Sequence, residues 1–359
     1  MRSLWSQFLT RAVLAAMLVV GAGAARAQIP FQPPAEAKPK ILRLLAYPEY
    51  FDPAVLEAFE RATGYAVAYD AYALQLEIPD RWKQGPYDVV ALPGPALTRR
   101  IAAGALMKLD KSRLPRARDV QPAVAAKLAA YDATSAYAVA FGWSPFGLIY
   151  DNKTVPPRLG PTLTSWNALL DQRFVHALGG CGAVIPNARD AVFVAAWRLL
   201  GLEPWKVNVG SLKFSAALLA RVKPALQGFA VADPVGALAR GASCLTLGTP
   251  GEAEAANARA RKIGRDATLV FGYAREGGGV AIDAFAIPRD AQNVDVAYKF
   301  IDFLLRADNA AADARSAGIF SAEDARGVDA LQRLSPIGAW DDRFDAALDS
   351  EWTHLRTAK

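Results

Sequence analysis

The chain has 359 residues, 53% of them hydrophobic, with 41 Lys and Arg against 35 Asp and Glu for a formal charge of +6. That length exceeds what one core usually manages and favours two domains of roughly 150 residues. No Lys/Arg cluster with interleaved aromatics occurs, so nucleic acid is not an expected partner.

In chain order, residues 1–27 read as a secretory signal peptide. MRSLWSQFLTR is a basic start, AVLAAMLVVGAGA is an apolar run too short for a stop-transfer helix, and Ala25-Arg26-Ala27 is a cleavage signal. No Cys stands at the cut for lipidation and no Arg pair is present, so the expected product is a soluble periplasmic chain from about Gln28. Arg2, Arg11 and Arg26 leave with the leader, which lowers the charge from +6 to +3. In an oxidising compartment, a disulfide between Cys181 and Cys244 and a pair of small buried thiols stand as equal readings. His176 and His354 lie at no ligand spacing from a Cys, so neither a metal nor a cofactor is expected.

QIPFQPPAEAKPK (28–40) is a Pro-rich, polar lead-in. ILRLLAY (41–47) is a short buried strand. Asp52 caps a helix with Pro53 at its first position, Leu56, Phe59 and Ala62 on one side and Gly64 as the stop, and YAVAYDAYA is the next strand. This βαβ unit predicts a parallel sheet. YDVVALP (87–93) is a further strand before a helix at ALTRRIAAGAL. The apolar run 136–152, AYAVAFGWSPFGLIYDN, is interrupted by Gly142, Pro145 and Gly147. Helices are expected at SWNALLDQRFVHAL, ARDAVFVAAWRLLGL and VAYKFIDFLLRAD, and strands at GGCGAVIPN and ASCLTLGTPG. Two long apolar stretches, near 140 and near 280, break the βα rhythm as crossings between two α/β lobes would. The expected division puts 41–140 with 284–318 in one lobe and 141–283 with 319–359 in the other.

The usual catalytic signatures are missing: no G-x-S-x-G, no G-x-x-x-x-G-K-S/T, no H-E-x-x-H and no C-x-x-C. A carboxylate set into an apolar strand, Asp283 in GVAIDAFAIP, instead demands a positive partner.

Several segments together resemble one family. LLAYPEYFDPAVLEAFERATGYAVAYDAY is similar to the opening of the periplasmic spermidine/putrescine-binding proteins of ABC transporters. So are YDVVALP, AFGWSPFGLIYDNKTV with TSWNALL, VIPNARDAVFVAAWRLLGL, GASCLTLG and GGGVAIDAFAIPRDAQNVDVAYKFIDFLL, in order from about residue 41 to 310. The resemblance implies a two-lobed periplasmic binding protein fold with two chain crossings at the hinge. It also implies a monomer that closes on a small-molecule solute and hands it to an ABC permease in the inner membrane.

The family's ligand contacts carry over to Asp283, to Asp190 for a glutamate, to Glu49 and Tyr50, to Tyr47 for an aromatic that is usually Trp, and to Trp143. Leu247 and Ala281 stand where the family usually has Trp, and Asn187 stands for an Asp. Two lost aromatic faces and one lost charge disfavour a long polyamine and favour a smaller cation. The expected site is Tyr47, Glu49, Trp143, Asp190, Thr249 and Asp283, with an ammonium on Asp283 between Tyr47 and Trp143 and Thr249 in a strand-end turn. Five of the six have a plainer reading. Asp283 can be a hinge carboxylate bonded to backbone or to an arginine, Asp190 a partner of Arg189, Glu49 a solvated acid, and Tyr47 and Trp143 core packing. Two rivals remain: a neutral or anionic organic solute, and a periplasmic hydrolase using Asp190 with Asp283.

Overall fold

The computed structural model describes residues 40–358, so the expected leader and nearly all of the lead-in lie outside the described residues. Asp52 accepts a hydrogen bond from the Ala54 amide at 2.9 Å, Pro53 opens the Pro53–Thr63 helix, and Gly64 closes it at φ 71°. Its buried face is Val55 and Phe59, one turn apart, rather than a stripe reaching Ala62, which is exposed.

Among the described residues twelve strands occur, in chain order: β1 (Ile41–Ala46), β2 (Ala66–Ala71), β3 (Val89–Pro93), β4 (Ala138–Pro145), β5 (Gly147–Asp151), β6 (Val184–Pro186), β7 (Gly228–Val231), β8 (Leu245–Gly248), β9 (Leu269–Gly272), β10 (Gly278–Ala286), β11 (Phe320–Ser321) and β12 (Leu334–Pro336). The larger sheet runs β11-β4-β10-β3-β1-β2, with β12 on β10. The βαβ start makes β1 parallel to β2 and β3, as the sequence predicts. The returning strand β10 runs antiparallel to β3 and β4, so the sheet as a whole is mixed. In the second lobe β5 lies between β8 and β9, antiparallel to both, while β6 and β7 pair in parallel and reach β8 through the Ala183–Leu245 bridge.

Two main cores form. The first gathers residues of β1, β3, β4 and β10 with the Val294–Leu304 helix, and the second surrounds Trp166, Phe193 and Trp197. The chain passes between them where β4 gives way to β5 at Phe146 and again where β10 begins at Gly278. A third passage follows β12. Ala322, Leu331 and Leu334, in a segment expected with the second lobe, pack in the first core, and the second resumes at Ile337, Trp340 and Phe344. The reason is pairing: β11 adds to β4 and β12 to β10, which places residues 320–336 on the first sheet.

Cys181 and Cys244 are bonded, with Cα atoms 5.4 Å apart, across 63 residues of chain. Closing a loop of that length removes unfolded-state entropy worth about 4 kcal/mol.

Candidate ligand-binding site

The site begins with a register. β10 pairs Ala281 with Ser144 and Ile282 with Trp143, and a bulge follows between Asp283 and Ala284. Residues opposed on an antiparallel pair share a face, so Ala281, Asp283 and Ser144 line a cleft while Ile282 and Trp143 enter the core. Asp283 sits opposite Pro93, the last residue of β3.

The cleft has a volume of about 880 Å³ and takes walls from both lobes. Tyr47, Glu49, Tyr50 and Gln75 come from the first lobe, with Arg315 and Ser316 from the helix Ala307–Ala317. Phe146, Thr249, Glu252, Glu254 and Arg261 come from the second, most of them along the helix Pro250–Lys262.

Asp283 is 4% exposed, and among the described residues its one side-chain hydrogen bond comes from the Tyr50 hydroxyl, 3.0 Å from Oδ2. Among the described residues no Lys, Arg or His lies within ion-pair distance of it. Burial pushes its carboxyl up to about 7, against the smaller opposite effect of the Tyr50 hydrogen bond. Tyr47 stacks obliquely on Tyr50 and Tyr72 at 5.1 and 4.4 Å between ring centroids. Burial, and then the negative charge of Asp283, push both Tyr47 and Tyr50 up, so both hydroxyls remain protonated donors. Beneath them Phe51, Phe141 and Phe285 form a stacked apolar floor, with Phe141 and Phe285 4.3 Å apart.

Of the six residues expected at the site, Tyr47, Glu49, Thr249 and Asp283 meet on this cleft. Glu49 is exposed at the rim and holds the left-handed conformation (φ 60°), and its carbonyl oxygen accepts from the Ser316 hydroxyl at 2.9 Å. Thr249 caps the Pro250–Lys262 helix: its hydroxyl oxygen accepts from the Glu252 amide, and its own amide donates to Glu252 Oε2 at 2.8 Å. Its polar groups are therefore largely committed to the cap.

Trp143 and Asp190 lie elsewhere. Trp143 is fully buried on the far side of β4, stacked on Phe320 at 4.6 Å, because the period-2 alternation that turns Ser144 to the cleft turns its neighbour away. Asp190, in the first turn of the Arg189–Leu199 helix, accepts from Arg189 Nε at 2.8 Å, and Arg189 also reaches Asp345 and Asp349. Burial raises the Asp190 carboxyl and Arg189 opposes that shift.

Tyr50 and Arg315 were not among the expected six. Tyr50 had a signal, since it stands beside Glu49 in the family-like opening. Arg315 had none, because the Ala307–Ala317 helix reaches the cleft only through packing.

The bacterial extracellular solute-binding protein family model matches residues 44–311. This chain belongs to that family, and it is a solute-binding protein. Among curated relatives it is 27% identical over 344 residues to the putrescine-binding periplasmic protein PotF of Escherichia coli strain K12, covering 90% of this chain and 93% of the relative. It is 28% identical over 271 residues to the putrescine-binding periplasmic protein SpuD of Pseudomonas aeruginosa strain UCBPP-PA14, covering 74% of each. The crystal structure of the spermidine/putrescine ABC transporter substrate-binding protein PotD from Streptococcus pneumoniae shares the fold at a TM-score of 0.76. It is 17% identical and covers 88% of this chain and 98% of that one.

Proposed function

We propose that the protein is the periplasmic receptor of an ABC importer for a small amine, captured with one ammonium on Asp283. The observation that carries this reading is a carboxylate, 4% exposed, at the cleft floor, with a tyrosine donor and no cationic partner among the described residues. A charge so placed is costly until a cation arrives. An ammonium restores it with a charge-assisted hydrogen bond worth roughly 1.5–3 kcal/mol. Tyr47, flanking from the side, adds about 0.5–2 kcal/mol if its face meets the cation. Relatives named for binding putrescine support the same class.

The two bodies that close are the two cores, hinged at Phe146, Gly278 and the passage after β12, and solute touching both walls favours the closed form that a permease would engage. The leader at residues 1–27 would deliver the chain to the periplasm and be cut at Ala27. No chemistry on the solute is part of this reading, since Asp190 faces Arg189 rather than the cleft.

Titration calorimetry of the mature chain at pH 8 against putrescine, a neutral sugar and a dicarboxylate tests the reading. Putrescine binding at one site is the expected result, while a dicarboxylate or sugar that binds in its place overturns it. One observation favours a second reading: Arg261 and Arg315 line the same cleft without an ion pair among the described residues. A solute bearing an acid group beside its amine would use them, and a zwitterion outcompeting putrescine in the same titration would establish that version.

A further inference from the structure

The lobes meet beside the cleft at a point where neither contributes a side chain. Gly251, the second residue of the Pro250–Lys262 helix, lies against Gly318, which ends the Ala307–Ala317 helix at φ 65°. A Cβ on Gly251 would overlap the Gly318 carbonyl oxygen and stand 2.9 Å from its Cα. One on Gly318 would stand 3.2 Å from the Gly251 Cα. The two helices belong to different bodies. Ala253 and Ala256 bury the first against Ile149 and Leu269 of the second lobe, and Ala312 packs the other on the first core.

Local structure explains the glycine at 318, a left-handed helix stop, but not the one at 251. Gly251 has no positive φ and sits inside a helix, where alanine is the better former. What forbids a side chain there is the opposite lobe. One turn beyond Gly251 stands Glu254, and one turn before Gly318 stands Arg315. Both line the solute cleft and also an adjoining hollow of about 500 Å³, so opposite charges flank the bare contact from opposite lobes.

We propose that Gly251 and Gly318, flanked by Glu254 and Arg315, form the closure contact of the cleft, and that any side chain at 251 holds the lobes apart. The contact needs no solute. Its consequence, weaker retention when closure is blocked, rests on the solute-capture reading above. An open form leaves position 251 unobstructed, so a substitution there acts on the closed state.

The test is a cross-link. Glu254→Cys with Arg315→Cys puts one thiol on each lobe, while the native cysteines are already paired with each other. Mild oxidation of the mature chain is expected to join the two, at a rate read on non-reducing gels. Adding Gly251→Val is expected to slow that rate at least tenfold and Gly251→Ala by less, with far-UV circular dichroism unchanged. Should the valine variant fail to fold, the alanine variant still decides. Equal rates with and without the added side chain, or no cross-link with Gly251 in place, overturn the proposal. Calorimetry on the unmodified mature chain separates the two readings: no putrescine binding there, with a cross-linking rate that still drops on Gly251→Val, removes the amine assignment and leaves the closure contact standing.

Discussion

Asp283 and Asp190 are both carboxylates set into apolar packing, one at the cleft floor and one behind it, and they have been answered differently. Asp190 has its cation in the preceding residue: Arg189 holds it at 2.8 Å and ties it to Asp345 and Asp349 on the Asp342–Thr357 helix. Asp283 has a phenol, which hydrogen-bonds a carboxylate without neutralising it. Under the proposed function, the carboxylate matched within the fold is structural, whereas the one left without a countercharge in a cavity of about 880 Å³ is the seat for a cation from outside.

Replacing each acid breaks the comparison most severely. Because the Asp283 carboxyl is raised from 3.8 to about 7, the folded state holds a proton that the unfolded state releases, so this group's contribution to stability declines as pH rises from about 4 to 7. Above 7 the whole penalty stands, on the order of 4 kcal/mol. Asp283→Asn should therefore raise the thermal midpoint at pH 8 but leave it unchanged at pH 4, while weakening putrescine about 100-fold in calorimetry. An Asp283→Asn protein that melts lower at pH 8 would show that the carboxylate serves the fold.

The opposite is expected behind the cleft. Arg189→Met strands Asp190 and should cost about 3 kcal/mol in urea unfolding, with putrescine affinity within about twofold of the parent. Titrating the unmodified protein sharpens the contrast. Putrescine affinity should rise about 100-fold between pH 5 and pH 8 as Asp283 loses its proton, then level off. A flat profile would mean that the ammonium sits elsewhere.

Tyr50→Phe removes the hydroxyl that donates to Asp283. Losing a bond that lowers the carboxyl pKa should move the affinity profile to higher pH and weaken binding by about 1–2 kcal/mol. Glu49→Gln, at the exposed rim, should change affinity by less than about threefold, because a solvated charge is screened.

Much of the architecture was legible along the chain. Asp52-Pro53 and Gly64 act within a few residues, through a cap and a left-handed stop, and need no partner from elsewhere. The two apolar crossings were visible because both strands of the seam are buried on two faces. The third passage was not, since β11 and β12 are only two and three residues long and exist because an edge of β4 and of β10 was available to pair with.

The site divides along the same line. Where a charge interrupts an apolar strand is a property of the sequence, and Asp283 announced itself that way. Which face a strand residue presents depends on register, so Trp143 entered the core and Ser144 the cleft once β4 aligned with β10. Whether a carboxylate finds its counterion is likewise settled by folding, for Arg189 binds Asp190 while Arg315 arrives in the cleft from a helix more than a hundred residues further on. Local order specifies caps, turns and alternation because those forces act over a few residues. Pairing of distant strands and meeting of distant charges depend on where the chain returns, and there the two glycines at the lobe contact, silent in composition, acquire their meaning.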